Sequence, residues 1–301
     1  MSPNGNRPAR LAFVGFGEAG AAFASGWGDM RPADLRAYDI KTDRAATRDT
    51  MQTRYAAHGI DGRDTPASAL DGIEAVFCTV TADQALAAAQ AAASHLAVGT
   101  LWFDCNSCAP GTKRRAAEVI EAAGGRYVDV AVMSPVHPKR HHAPLLISGP
   151  HAEVAEAVLL ALDMKPKHAG DAVGRASSIK MLRSVMVKGL EALTAECFLA
   201  AHRAGVADEV IGSLEASDPD IAWRKRGAYN LERMMVHGAR RAAEMQEVAR
   251  TVDELGLGGR MAAATAEWEA MIAALGVDPG EDDLESRANA ILSRIEDPDA
   301  T

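Results

Sequence analysis

The segment that most restricts the fold is RLAFVGFGEAGAAFASG, residues 10–26. A stretch of strand character runs straight into Gly15, Gly17 and Gly20, in G-x-G-x-x-G spacing, and an alanine-rich helical stretch follows. The spacing alone is weak. Between a strand and a helix it is informative, because each glycine then does something a side chain would prevent. Gly15 permits a tight turn, Gly17 leaves the backbone bare where an anion must come close, and Gly20 lets the helix pack near the strand. The first N–H groups of a helix have no partners within it, so phosphate oxygens suit them. Gly15, Phe16, Gly17, Glu18, Ala19 and Gly20 therefore form a candidate dinucleotide cradle, and the amino-terminal region is committed to a βαβ arrangement.

Downstream, short apolar runs alternate with helical stretches. LRAYD, AVFCTV and TLWFDCN read as strands, while ADQALAAAQAAASHLA and PGTKRRAAEVIEAAGG read as helices, the second with Pro110 in its opening turn. RYVDVAVM and APLLISG are strands flanking the loop SPVHPKRHH, and HAEVAEAVLLALD is a further helix. HGIDGRDTPASAL fits neither period. Such alternation predicts βαβ units and a mostly parallel sheet. Beyond Gly174 strand character disappears, and long helical segments follow, among them SSIKMLRSVMVKGLEALTAECFLAAHRAG and NLERMMVHGARRAAEMQEVARTVDELG. The expected fold is α/β: a doubly wound Rossmann domain over residues 8–172, then an all-α domain over 173–297. A chain of 301 residues accommodates both.

Composition narrows the partners. With 48% hydrophobic and 24% charged residues the chain reads as globular, and a net charge of -9 argues against nucleic acid or an anionic membrane. No apolar run is long enough for a transmembrane helix. The start, MSPNGNRPAR, lacks the apolar centre of a signal peptide, which makes the cytoplasm the expected compartment, and the end, EDPDAT, is expected to fray. Cys105 and Cys108 form a C-x-x-C in DCNSCAP, but no thioredoxin-like pattern surrounds them and no second pair completes a zinc site; they read as small residues at a strand end. In SPVHPKRHH, His137, His141 and His142 stand beside Lys139 and Arg140. Pro138 interrupts the helical turn that would aim His137 and His141 at one ion, so no metal is expected. That loop reads as solvated, with a substrate anion as its other use.

At the end of the second strand stands Asp39, 19 residues beyond Gly20. A carboxylate there accepts hydrogen bonds from the adenosine ribose hydroxyls and repels a 2′-phosphate, so NAD is expected over NADP. Lys41 and Arg44 keep NADP open, because they are cations close to the same position.

The long helix beginning near Ser177 raises a separate question. Ile179, Met181, Leu182, Val185, Met186, Val187, Leu190 and Leu193 cover most of its surface, while Lys180, Arg183, Ser184, Lys188 and Glu191 form one polar stripe. An apolar helix with a polar stripe needs something polar for the stripe to face: water, a partner chain or an active-site cleft. Further on, Arg233, His237, Arg240 and Arg241 share or border one helix face that suits an anionic substrate or an ion-pair surface.

Four ordered pieces of sequence resemble the β-hydroxyacid dehydrogenase family, which includes 3-hydroxyisobutyrate and 6-phosphogluconate dehydrogenases. They are GFGEAG, then DCNSCAP (similar to D-x-S-T-x-x-P), then DVAVMSP (at the place of D-A-P-V-S-G-G), then GRASSIKMLRS (similar to G-x-G-x-x-x-K-x-x-N-N). The resemblance spans nearly the whole chain and implies hydride transfer between a nicotinamide dinucleotide and a small anionic substrate. It places the catalytic acid/base at Lys180, whose stripe then faces a cleft. An amine serves as a base near neutral pH when burial and neighbouring cations lower its pKa, and Arg183 is one such neighbour on the helix. Cofactor contacts are implied for Thr79, Val80, Thr81 and Asn106. Substrate contacts are implied for Ser107, Met133, Ser134, Pro135, Arg183, Ser184 and His237. The departures are specific: Ser184 stands where the family has asparagine, Met133-Ser134-Pro135 replaces Ser-Gly-Gly, and Ala243-Glu244 replaces a later Lys-Asp pair. They point to a branch with its own substrate. Imine reduction on the same architecture, and a non-catalytic NAD-binding protein, are the alternative readings. Apolar helices in the second domain make a homodimer the expected assembly.

Overall fold

The computed structural model describes residues 7–296. The expected leader lies mostly, and the frayed tail almost wholly, outside the described residues. In chain order the elements are β1 (Arg10–Val14), α1 (Glu18–Gly26), β2 (Asp34–Tyr38), α2 (Ala45–Ala57), β3 (Asp61–Gly62), α3 (Pro66–Leu70), β4 (Ala75–Cys78), α4 (Ala85–Ala93), β5 (Leu101–Asp104), α5 (Pro110–Ala122), β6 (Arg126–Val132), β7 (Pro144–Ser148), α6 (Ala152–Ala161), β8 (Lys165–Gly170), α7 (Arg175–Arg203), α8 (Ala207–Ser217), α9 (Trp223–Glu254), α10 (Arg260–Ala274) and α11 (Leu284–Glu296). The chain divides into two compact units between Lys180 and Met181, and α7 runs through the division.

The first unit is an α/β Rossmann domain with one sheet of order β3-β2-β1-β4-β5-β6-β7-β8. All pairings are parallel except β6 with β7. Alternation along the strands builds two cores, one on each face. Leu11, Phe13, Ala75, Phe77, Leu101, Phe103, Val128 and Val130 point to one face, and Phe77 stacks on Phe103 with ring centroids 4.8 Å apart. Ala12, Val14, Val76, Cys78, Trp102 and Tyr127 point to the other. Central strands buried on both sides read as continuous apolar runs, which is why β1, β4 and β5 were legible in the sequence.

Three elements were not read from the sequence. α2 buries only Met51 and Tyr55, so its apolar period is faint. β8, KPKHAG, is a polar edge strand with a proline, the composition that keeps sheet edges from pairing further. α8 buries only Ile211. The ambiguous stretch resolves into β3 and α3, the latter opened by Pro66 and capped by Thr65, whose hydroxyl accepts from Ser68 N–H at 3.2 Å.

Among the described residues the second unit is all helical. Ala195, Phe198, Leu199, Leu231, Met234, Ile272, Leu284 and Ile291 form its main core, and Met245 and Val248 a smaller one with Met181. Here the expectation for α7 is inverted. Its polar residues Ser184, Lys188 and Glu191 are buried, whereas Leu182, Met186 and Leu193 are 42%, 65% and 56% exposed. The reason is charge pairing: Lys188 and Glu191 are matched by Glu244 and Arg241 on α9, which takes that stripe inward. No helix among the described residues is long and apolar enough to cross a membrane.

Candidate functional site

The strand order reverses between β1 and β4, which places a crevice at the carboxyl ends of those strands. The glycine turn sits there. Gly15 has φ +80, and a Cβ on it would come within 2.7 Å of Val80 Cγ1 and 2.9 Å of the Thr79 carbonyl, so no larger residue fits. Its N–H donates to the Tyr38 carbonyl at 2.8 Å, and its carbonyl accepts from the Thr79 hydroxyl at 2.6 Å. Gly17 differs: a Cβ there would meet nothing within 4 Å. It is the N-cap of α1 and supplies no side-chain cap, so open space lies before an uncapped helix start. That combination suits a phosphate rather than a packed turn.

Asp39, at the end of β2, is buried and accepts from Phe16 N–H (2.9 Å) and Lys41 N–H (3.0 Å). These bonds hold the carboxylate against the glycine turn and leave each oxygen further lone pairs. Lys41 and Arg44 are exposed. Thr79 and Val80 are half-buried and Thr81 is exposed, all just beyond β4. The bare backbone at Gly17, the uncapped helix and the carboxylate at the end of β2 are a fitting donor and acceptor set for a dinucleotide.

Two strands along, the segment after β5 carries Asn106 and Ser107. The Asn106 backbone N–H and side-chain Nδ2 both donate to Asp104 Oδ1, at 3.0 and 2.7 Å. This leaves Asn106 Oδ1 buried without a hydrogen-bond partner, an acceptor in want of a donor. Lys180, half-buried, donates from Nζ to Ser107 Oγ at 2.6 Å. The fourth and second sequence motifs therefore meet. The third is nearby in the fold but partly self-satisfied: Met133 N–H donates to the Pro144 carbonyl, and the Ser134 hydroxyl to that of Pro135. Arg183 is exposed, Ser184 buried and His237 half-buried, all on helices of the second unit.

Sequence reasoning missed the group beneath these residues. Asp104 and Asp129 are register partners on β5 and β6, so two carboxylates lie side by side on one sheet face. Between them reaches Lys113, fully buried, its Nζ 3.0 Å from Asp104 Oδ1, 2.6 Å from the Asp104 carbonyl and 3.5 Å from Asp129 Oδ1. Burial works against its charge, but Asp104, Cys108 and Asp129 outweigh that and hold its pKa above the usual lysine value. Tyr127 donates its hydroxyl to Asp104 Oδ2 at 2.6 Å. Asp129 takes the N–H groups of Gly174 and Ser177, each at 3.1 Å, together with the hydroxyls of Ser177 and Ser148. A signal for Lys113 was present: with Ala116, Ala117 and Ile120 it occupies the i, i+3, i+4, i+7 face that α5 buries.

Other expectations change. Arg241 is buried between Glu191 and Glu269, and Arg240 pairs with Glu244, so neither is a spare cation for an anionic substrate. The loop before β7 is not simply solvated: His141 is buried, its ring against that of His142, and Asp163 pairs with His142 at 2.9 Å and Lys165 at 2.7 Å. Cys105 and Cys108 are buried thiols, and burial pushes Cys105 up to about 12, the opposite of a redox pair's requirement.

Residues 10–164 match the NAD binding domain of 6-phosphogluconate dehydrogenase. The chain belongs to that family. The β-hydroxyacid dehydrogenase resemblance read from the four motifs agrees with it. Residues 201–272 match a domain of unknown function, DUF1932. A conserved hypothetical protein from Sinorhizobium meliloti 1021 is 35% identical, with 95% of this chain and 96% of that one covered and a TM-score of 0.76. A conserved protein described as structurally similar to 3-hydroxyacid dehydrogenases is 27% identical over 89% of this chain and 100% of its own, with a TM-score of 0.67. At the level of fold alone, the chain is similar to the Mycobacterium tuberculosis 3-hydroxyisobutyrate dehydrogenase (18% identity, 94% and 98% covered, TM-score 0.70). It is likewise similar in fold to a Streptomyces aurantiacus imine reductase (19%, 94% and 99%, TM-score 0.52).

Proposed function

We propose that the chain is an NAD-dependent oxidoreductase acting on the CH–OH group of a small acidic, β-hydroxyacid-like substrate, with Lys180 as general acid/base. One observation carries the reading: the Lys180 amine lies 2.6 Å from the Ser107 hydroxyl, and the residue before Ser107 holds a buried, unpartnered acceptor. A proton-transfer group and two polar anchors thus converge beyond the carboxyl end of β5, in the sheet whose β1 end carries the glycine turn.

In this reading residues 15–20 hold the pyrophosphate, Asp39 the adenosine ribose, and Thr79, Val80, Thr81 and Asn106 the remainder of the cofactor. Asp39 favours NAD over NADP, because a 2′-phosphate would face its carboxylate. The bound nicotinamide supplies the hydride chemistry. Lys180 takes the proton from the substrate hydroxyl in oxidation and returns it in reduction. Ser107, which accepts from Lys180, keeps its own hydrogen for a substrate oxygen. Ser134, with Met133, Pro135, Arg183, Ser184 and His237, is assigned to the substrate's acidic end.

The test is NADH fluorescence across a panel of hydroxyacids, their keto partners and cyclic imines. Lys180→Met is expected to bind NADH as the parent does and to lose turnover by a factor of about 10² or more. Full turnover by that variant would remove Lys180 from the chemistry. Reduction confined to the imines would favour the imine reductase reading, and cofactor affinity with no turnover on any compound would favour a non-catalytic binder. The exposed residues Leu182, Met186 and Leu193 support a homodimer through this face of α7. Sedimentation is expected to give twice the mass of 31.7 kDa, and a monomer at all concentrations would exclude it.

A further inference from the structure

We infer that Lys113 is a positioning residue for Lys180: it sets the reactive amine against Ser107 from a site that substrate cannot reach. The inference rests on the reading of Lys180 as acid/base and adds the means by which its place is fixed.

The contacts close a ring. On one side the Asp104 carboxylate gathers the segment after β5, taking both nitrogens of Asn106, and Ser107 follows directly. On the other side Asp129 gathers the start of α7, taking the N–H groups of Gly174 and Ser177 and the Ser177 hydroxyl. Asp129 is therefore an N-cap supplied from a neighbouring strand, and it fixes the height and rotation of the first turn. Lys180 lies three residues beyond Ser177, one turn along and on the same side of the helix. Lys113 joins the two carboxylates, and the Lys180–Ser107 hydrogen bond completes the circuit.

The joint depends on charge. Asp104 and Asp129 are register partners, each with a side chain no more than 1% exposed. Without the ammonium between them, two buried carboxylates face one another, and they must separate or one must take up a proton. Either response alters a segment that Lys180 or Ser107 hangs from. Lys113 itself is 0% exposed, so it acts only through these partners.

The experiment needs no substrate. Lys113→Met removes the charge while keeping most of the volume, and Ser177→Ala removes one hydroxyl from the Asp129 cap. Each variant is treated with N-hydroxysuccinimidyl acetate, and the labelling rate of Lys180 is read by peptide mass spectrometry, with exposed Lys225 as internal reference. NADH fluorescence reports whether the fold and the glycine turn are intact. Lys180, released from Ser107, is expected to label about threefold to tenfold faster in both variants, with Lys225 labelling unchanged and NADH still bound, a split that general loosening would not give. Unchanged Lys180 labelling in a variant that still binds NADH would overturn the inference. Should Lys113→Met fail to fold, Lys113→Gln, which keeps a donor between the carboxylates while removing the charge, is read in the same way and decides in its place. Full turnover by Lys180→Met would end the acid/base reading yet leave this labelling result standing, so the two failures are distinguishable.

Discussion

Each unit buries a cluster of charges, and the two are satisfied by different means. In the Rossmann unit, Asp104 and Asp129 draw on backbone N–H groups and hydroxyls as well as on Lys113, and every carboxylate oxygen has a donor. In the helical unit, Arg241 serves Glu191 and Glu269, and Lys188 serves Glu244, side chain to side chain. There Glu269 Oε2 is buried without a hydrogen-bond partner. Location explains the contrast. The first cluster lies where strands end and a helix begins, so N–H groups are free to donate. The second lies among helix interiors, whose N–H groups are already bonded to carbonyls of the preceding turn. The titration tendencies follow: Lys113 is held above its ordinary value, whereas burial pulls Lys188 down despite Glu244 and pushes Glu269 up despite Arg241. A buried carboxylate next to free backbone donors keeps its charge at low cost, and one in a helix interior depends on its cation.

The largest effect that would sharpen this contrast is at Arg241. Arg241→Met strips both Glu191 and Glu269 of their cation without offering any donor in its place. The expected loss is about 3–5 kcal/mol at pH 7 in urea unfolding of the full chain, because two carboxylates then remain buried and unpaired. The same measurement near pH 5 should show a smaller loss, since protonation removes part of that penalty. A loss below about 1 kcal/mol at pH 7 would mean that the second cluster finds other donors, and the contrast would fail.

The contrast also marks how far the sequence could be read. The Rossmann sheet and the glycine turn were legible because each strand carries its own period and each glycine its own steric reason. Lys180 was legible only as one member of a polar stripe until the ordered motifs singled it out. The buried clusters were not legible, because pairing depends on sheet register and helix packing. Asp104 and Asp129 become neighbours only once β5 and β6 are aligned. Arg241 looked available on a basic face of α9 because Glu191 and Glu269 come from two other helices. The same blindness inverted α7, whose polar residues read from the sequence as facing water, a partner chain or a cleft, whereas Ser184, Lys188 and Glu191 are buried.

A smaller and more selective effect is expected at Glu269. Its carboxyl is 0% exposed, with one oxygen on Arg241 Nε at 3.2 Å and the other unpartnered. Burial, ahead of the opposing pull of Arg241 and Lys188, raises its folded pKa above the ordinary 4.5. The folded chain therefore holds this proton more tightly than the unfolded chain. Between the unfolded and folded values stability falls as pH rises, and above the folded value the penalty is complete and flat. Glu269→Gln removes the titration but keeps the shape. Its stability relative to the parent is expected to be unchanged near pH 4 and to improve through the window above 4.5, reaching about 1 kcal/mol in the variant's favour by pH 7. Lys113 is raised as well, but its stabilisation is fully present below 10.5 and is lost only as pH climbs through the higher folded value, so it contributes no slope between pH 4 and 8. Urea unfolding of parent and variant from pH 4 to 8 reads the difference directly. Parallel curves would show that Glu269 titrates alike folded and unfolded, and the helical cluster would then be as well satisfied as the one at the sheet edge.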